Sequence, residues 1–159
     1  MGGVAVGVMV DVRAVQGEAD LEAAYGVRFA VFVDEQKVPK EEELDALDAT
    51  AFHVVAWVGK AAVGTGRLLE PDDHHSFTRI GRMAVLQSQR GKGVGGAILQ
   101  ALLKEAAARG LTDIRLAAQE HAVPFYARHG FVVCSERFDE VGIPHFWMRW
   151  EPGLAAGQR

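Results

Sequence analysis

RIGRMAVLQSQRGKGVGGAILQALLKEAAARG, residues Arg79 to Gly110, decides how the rest of the chain is read. Its apolar run Met83-Ala84-Val85-Leu86 has the character of a buried strand. A polar, basic, glycine-dense loop follows from Gln87 to Gly93. Beyond it, Val94, Ile98, Leu99, Leu102, Leu103 and Ala106 recur at helical spacing and put one apolar stripe on one face. Gly110 is the expected stop of that helix, and Arg109 complements its negative end. Strand, loop and helix N-terminus together form an anion site. The first N–H groups of a helix have no intrahelical partner, and the helix dipole places roughly half a positive charge there. Glycines 91, 93 and 95 let the backbone approach a bulky ligand, and Arg90 and Lys92 add two full charges.

Three known loops share this logic. A Walker loop needs Gly-Lys followed by Ser or Thr, and here Gly91-Lys92 is followed by Gly93, so the hydroxyl for magnesium is missing. A dinucleotide fingerprint is formally present at Gly91, Gly93 and Gly96, with Glu120 near the ribose-binding distance. Against it, Leu86 to Arg90 intervene between strand and glycines, and the motif falls halfway along the chain instead of opening it. The third pattern, Arg/Gln-x-x-Gly-x-Gly/Ala, is met by Arg90-Gly91-Lys92-Gly93-Val94-Gly95. It resembles the acetyl-coenzyme A loop of the GNAT superfamily of N-acetyltransferases. The plain alternative is a loop that only turns strand into helix; loop, charges and long amphipathic helix agree in favouring a cradle.

At 159 residues, 49% apolar and 24% charged, the chain suits one soluble globular domain with a real core, expected over residues 9–150 with loose termini at 1–8 and 151–159. A net charge of −4 argues against a general nucleic-acid binder. The single Cys134 excludes an internal disulfide and any multi-cysteine metal site, and its strand-like setting suggests a core filler. No stretch of about 18 apolar residues predicts a membrane span, and the start lacks a basic n-region, so the cytoplasm is the expected compartment.

Before the central stretch, Met9 to Val15 alternates as a half-exposed strand, and Glu18 to about Val33 reads as a helix with Leu21, Ala24, Val27 and Val31 at helical spacing. The segment from Asp34 to Asp48 carries seven acids and two lysines, a difference of −5. It is either a solvated loop or a lip that attracts a cationic amine. Phe52 to Val58 and Ala61 to Leu69 read as strands joined at Gly59-Lys60, and Phe77 to Leu86 leads into the cradle. His74 and His75 lack further ligands at useful spacing and read as surface residues, so no metal is expected. After the central helix, Asp113 to Ala118 is expected to lie parallel to the strand ending near Leu86. A short helix from about His121 is stopped by Gly130, with Pro124 in its first turn. Phe131 to Phe138 and His145 to Trp150 close the chain as antiparallel strands around a turn from Asp139 to Pro144.

Two further stretches carry the resemblance. Gln119 to Phe131 is similar to the GNAT motif of a polar residue, Ala, Phe-Tyr and Gly-Phe, with Gln119 where the motif usually has Asn. RFAVFVDEQKVPKEEELDALDATAFH resembles the ElaA-like branch at Arg28, Val31, Phe32, Val33, Glu35, Gln36, Val38, Pro39, Glu43, Asp45, Asp48 and His53, as does Gly142-Ile143-Pro144-His145. The resemblance covers most of residues 10–149. It implies a mixed, largely antiparallel central sheet splayed between the parallel strands 79–86 and 113–118, flanked by helices in an α/β three-layer fold. Acetyl-coenzyme A would enter that V. The cofactor-binding residues it implies are Met83, Ala84 and Val85 on the strand, then Gln89, Arg90, Gly91, Lys92, Gly93, Val94 and Gly95 in the cradle, with Gln119, Phe125 and Tyr126 beyond.

What the resemblance implies for chemistry is direct attack of an amine on the thioester. The amine must be neutral when it attacks, the oxyanion needs a donor such as the Val85 N–H, and the leaving thiolate is helped by an acid, for which Tyr126 has a suitable phenol. For the base the candidates are Glu35, His53, His121 and His145, with Glu35 and His53 preferred. Arg28, Phe32, Glu35, Gln36, Arg82 and His145 are the expected acceptor-side residues, and Arg82 with Arg79 could serve a phosphate or acidic group. The expected partners are acetyl-coenzyme A and a small amine, either amino acid or polyamine-like, with a homodimer left open. The competing readings are a non-catalytic acyl-coenzyme A sensing module and a small nicotinamide-binding oxidoreductase.

Overall fold

The computed structural model describes residues 9–153. Of the expected loose termini, residues 1–8 and 154–159 lie outside the described residues, and Glu151 is tied back through its N–H to the Gly130 carbonyl at 2.7 Å. The elements in order are β1 (Asp11–Ala14), α1 (Glu18–Arg28), a π-helical segment (Phe29–Glu35), α2 (Lys40–Glu43), a 3-10 turn (Ala46–Ala49), β2 (Phe52–Val58), β3 (Ala61–Leu69) and β4 (Thr78–Val85). Next come a 3-10 turn (Gln87–Gln89), α3 (Val94–Ala108), β5 (Ile114–Gln119), α4 (Val123–Arg128), β6 (Phe131–Val133), β7 (Phe138–Glu140) and β8 (Ile143–Trp150).

One eight-stranded sheet runs β1-β2-β3-β4-β5-β8-β6, with β7 following β6 along the same edge of β8. Every pairing is antiparallel except β4 with β5. That parallel ladder holds only at Thr78–Ile114 and Arg79–Arg115, after which the strands part. A bulge sets the divergence on the β4 side. Opposite β3, Thr65 pairs with Ala84 and Arg67 with Gly81, so two residues of β4 face Gly66 alone. Arg82 takes φ 50°, a conformation that costs a side-chain-bearing residue on the order of 1–3 kcal/mol.

The core lies between the sheet and α3. Val94, Ile98, Leu99, Leu102, Leu103 and Ala106, the stripe read from the sequence, are all buried against Val54, Leu68, Ile80, Ile114, Leu116 and Met148. Burying each larger aliphatic contributes roughly 1.5–3 kcal/mol. Close approach of α3 to β3 requires bare backbone: a Cβ on Gly66 would stand 2.9 Å from both Ile98 and Leu102. On the opposite face α1 packs Val27, and the π-helical segment Val31, on Ala84, completing three layers.

Three local expectations are corrected. The helix expected from Glu18 to about Val33 is α-helical only to Arg28 and continues as a π-helical segment, in which Gln36 N–H returns to the Val31 carbonyl, five residues back. It ends at Lys37 (φ 64°), with Val38 N–H on the Phe32 carbonyl. The strand expected from Phe131 to Phe138 breaks after Val133 because Ser135 turns inward: its Oγ accepts the Trp147 N–H at 2.9 Å, replacing a ladder bond. The same break leaves Cys134 exposed and not in the core, since β6 is an edge strand with only Phe131 turned inward.

Candidate active site

Where β4 and β5 part, a cleft of about 1220 Å³ opens, bounded by the π-helical segment, the 87–96 loop, α4 and the β7–β8 hairpin. That volume exceeds a typical small-molecule pocket of about 300–1,000 Å³ and suits two reactants. One edge of the cleft is backbone. Leu86 N–H donates to the Val63 carbonyl at 2.9 Å, so by the alternation of a strand the Val85 N–H and C=O face away from β3, toward the gap left by β5. The Val85 carbonyl accepts Arg90 Nε at 2.9 Å.

The floor of the mouth is the N-terminus of α3. No side chain caps it, and the N-cap is Gly93 at φ 84°, with open space where a Cβ would stand. This left-handed position is why the loop needs glycine there. Opposite, α4 presses close: a Cβ on Gly95 would meet the Phe125 ring at 3.3 Å. The Phe125 and Tyr126 rings meet edge to face at 5.0 Å. Tyr126 donates its phenol hydrogen only to the weak acceptor Met83 Sδ, at 3.6 Å, and burial pushes its pKa well above the usual phenol range.

The π-helical segment supplies the roof. A π turn carries an extra residue and so rotates the residues beyond it by about 100° relative to an α-helix. Val27 and Val31 stay on the sheet while Phe32, Glu35 and Gln36 line the cleft. Two links run from here across the mouth. Gln36 and Gln119 exchange amide hydrogen bonds of 3.1 and 2.8 Å. Glu35 holds Arg90 in a bidentate pair, both bonds 2.7 Å. Hydrogen bonding from Arg90 lowers the Glu35 pKa, which makes it a poorer base than an ordinary carboxylate.

All the expected cofactor-side residues line the cleft except Lys92, and of the expected catalytic and acceptor-side residues Tyr126, Glu35, Phe32, Gln36, Arg82 and His145 do so too. Arg28 and His53 do not. Arg28 is 1% exposed and committed to Glu43 (2.8 Å) and Asp48 (2.7 Å). His53 is buried, with Nε2 on the Asp48 carbonyl at 2.9 Å and a pKa lowered by burial. The expected acidic lip is likewise redrawn. Glu43 and Asp48 are buried and, with the more exposed Asp45, pair with Arg28, Arg67 and Arg82, while Asp34, Glu35, Glu41 and Glu42 stay exposed. A lone arginine inside the apolar strand Ala61–Leu69 was the signal for this network, since a buried guanidinium must be paired. Nor is His75 a plain surface residue: its ring packs on Phe77 at 5.3 Å and near Trp147, and it lines the cleft. No group of three metal-binding side chains occurs among the described residues, and none of their helices is long and apolar enough to cross a membrane.

The network gives the fold an acid limb. Burial opposes ionisation of Asp48, but hydrogen bonds and charge from Arg28 prevail and lower its pKa from 3.8 to about 2; Asp45 is lowered in the same sense by Arg67. A lowered carboxyl stabilises the fold fully above its unfolded pKa and loses that contribution as pH falls through the folded value. Thermal melting followed from pH 5 to pH 2 is expected to fall mainly below pH 4. An Asp48→Asn variant should start lower and fall less steeply over that interval; a parallel fall would show that Asp48 is not the group responsible.

The profile of the acetyltransferase (GNAT) domain family matches residues 16–152. The uncharacterized N-acetyltransferase YjcF of Bacillus subtilis is 45% identical over 134 residues, 84% of this chain and 94% of the relative. An acyl-CoA N-acyltransferase from Pseudomonas aeruginosa superposes with a TM-score of 0.81 at 34% identity, covering 89% of this chain and 99% of that one. The crystal structure of Escherichia coli ElaA gives 0.80 at 29% identity, covering 90% of this chain and 100% of ElaA.

Proposed function

The chain belongs to the GNAT family of acetyltransferases, and from that premise we propose that it moves an acetyl group from acetyl-coenzyme A to a primary amine of a small molecule. Transfer is by direct attack within a ternary complex. One observation carries the reading: β4 and β5 part beside the uncapped, glycine-opened N-terminus of α3, so a free strand edge and an anion cradle share one cleft. Acetyl-coenzyme A supplies the acyl group as an activated thioester.

The chain's own residues divide the work. The N–H groups from Arg90 to Gly95 receive pyrophosphate, and Val85 N–H, turned to the cleft, is the donor for the acyl oxygen. Met83 and Ala84 continue that strand edge, and Gln89, Lys92, Gln119 and Phe125 border the cofactor. Tyr126, kept protonated by its surroundings, gives a proton to the departing sulfur. Amine deprotonation falls to His145 in preference to Glu35 or His53. His145 lines the cleft, and its Nδ1 is 2.7 Å from the Ile143 carbonyl. A carbonyl only accepts, so Nδ1 carries the hydrogen and Nε2 of the neutral ring is left free to take one.

Thermal melting with acetyl-coenzyme A tests the reading. At about 100 times its dissociation constant a native-state ligand adds roughly 2.7 kcal/mol, some 5–10 °C for a chain this size. The shift is expected in the wild type and absent in Gly93→Glu, which adds a negative charge and a side chain at a left-handed position with open space around it. A shift with NAD and none with acetyl-coenzyme A would overturn the proposal.

A further inference from the structure

Buried polar atoms without partners are rare, because each costs about 1–3 kcal/mol of lost hydration. Among the described residues four side-chain atoms are in this state: Arg67 Nε, His75 Nδ1, Arg79 Nε and Gln89 Oε1. All four belong to residues that line the cleft. Gln89 lies at the cradle. The other three lie at or before the start of β4 and on its β3 neighbour, away from the cradle.

The sheet register puts two of them side by side. Arg67 pairs with Gly81 and Leu69 with Arg79, so all four share one face of the sheet and Arg67 and Arg79 are diagonal neighbours. Arg79 aligns with Arg115, and Ala117 with Trp147, which extends the same face to an aromatic wall. Gly81 leaves a gap in this floor, with nothing within 4 Å of where its Cβ would stand. Arg67 is almost wholly buried, and its other nitrogens are held by Asp45 and Asp48. Arg79 is held through one terminal nitrogen by Asp72 at 3.1 Å. The other oxygen of Asp72 accepts the His74 and His75 N–H groups, both at 2.8 Å. Each guanidinium therefore keeps one buried N–H donor without a partner, on a residue that lines the cleft beside the open position at Gly81. A guanidinium has donors only, so what completes these two must be an acceptor, and an anion completes them best.

We propose that the amine accepted here carries an anionic group of carboxylate or phosphate type, received over Gly81 by Arg79 and Arg67, so that the acceptor is a small zwitterion of the amino-acid kind and not a polyamine. This rests on the acetyl-transfer reading of the same cleft. It agrees with the pairing of Glu43, Asp45 and Asp48, which arginines already neutralise and which are therefore not open to a polycation.

The test uses amines that differ only in the anion: ethanolamine, L-serine and O-phosphoethanolamine, with phenethylamine and L-phenylalanine as an aromatic pair. Transfer is read as coenzyme A release, and binding by calorimetry on the protein–coenzyme A complex, so preference is measured even where turnover is slow. The anionic members of at least one set are expected to be preferred by about 10-fold or more, the scale of one charge-assisted hydrogen bond. Serine against O-phosphoethanolamine separates carboxylate from phosphate. Arg79→Gln should remove the preference, and Gly81→Leu should raise the KM of anionic acceptors while the acetyl-coenzyme A melting shift persists. Equal or better use of the plain amines, no binding of any anionic member, or an unaltered preference in Arg79→Gln would overturn the inference. Transfer without preference leaves the acetyltransferase reading standing, whereas no melting shift and no transfer to any amine removes that reading itself.

Discussion

Tyr126→Phe is expected to lower kcat for acetyl transfer by about 10²–10⁴-fold, the range that a positioned general acid contributes. In the proposed transfer the departing thiolate needs a proton, and no other phenol lines the cleft. The hydroxyl is well suited to give one. Its partner is a thioether 3.6 Å away, a weak acceptor that costs little to leave, and its surroundings hold it protonated at any working pH. Phenylalanine keeps the ring and its contacts with Phe125 and with Phe131 at 6.0 Å, so the cleft should keep its shape. The check is steady-state kinetics alongside the acetyl-coenzyme A melting shift. Loss of kcat with the shift retained supports the acid role; a fall of less than about threefold would assign the proton to solvent.

Arg28→Ala is expected to destabilise the fold by about 3–5 kcal/mol, the loss seen when one partner of a buried ion pair is removed. The guanidinium satisfies Glu43 Oε2 (2.8 Å), the Glu43 carbonyl (2.8 Å) and both oxygens of Asp48 (2.7 and 3.2 Å), and packs over the Tyr25 ring. Without it two buried carboxylates lose their shortest partner, Asp48 keeping Arg67 at 2.8 Å and Glu43 keeping Arg82 at 3.3 Å. Burial already raises the Glu43 pKa despite Arg28, so the site has little reserve. Urea unfolding measures the effect. A loss below about 1 kcal/mol would mean that Arg67 and Arg82 carry the acids alone and that Arg28 is free for another task.

These expectations also show how much the residues alone make legible. The α3 stripe, the cradle glycines and the parallel return of β5 come from local rules: helical spacing, the need for left-handed backbone, and the connectivity of a crossover. Cys134 and the broken strand from Phe131 to Phe138 were not legible, because Ser135 replaces a ladder bond only once Trp147 is beside it. The same holds for Arg28 and the acids from Glu43 to Asp48. Their types and spacing suit an acceptor site as well as they suit an internal network, and the choice is made by Arg67, which comes from a distant strand. Arg67 itself is not legible as an acceptor-side residue for a related reason. What marks it, and Arg79 with it, is an unpaired Nε, and that depends on the whole fold.

The bulge at Arg82 also reverses parity along β4. Before it the even-numbered residues, such as Ile80, face α3; after it the odd-numbered Met83 and Val85 do, and Ala84 turns to α1. One strand therefore obeys two opposite inside–outside rules, joined at a single residue. Arg79 and Gly81 open onto the cleft only because they lie on the near side of that reversal, and Val85 packs under α3 only because it lies beyond it. The spacing between Gly81 and Val85 is thus as much a part of the design as the residues themselves. A chain one residue shorter here could keep every motif and still turn each of them to the wrong face.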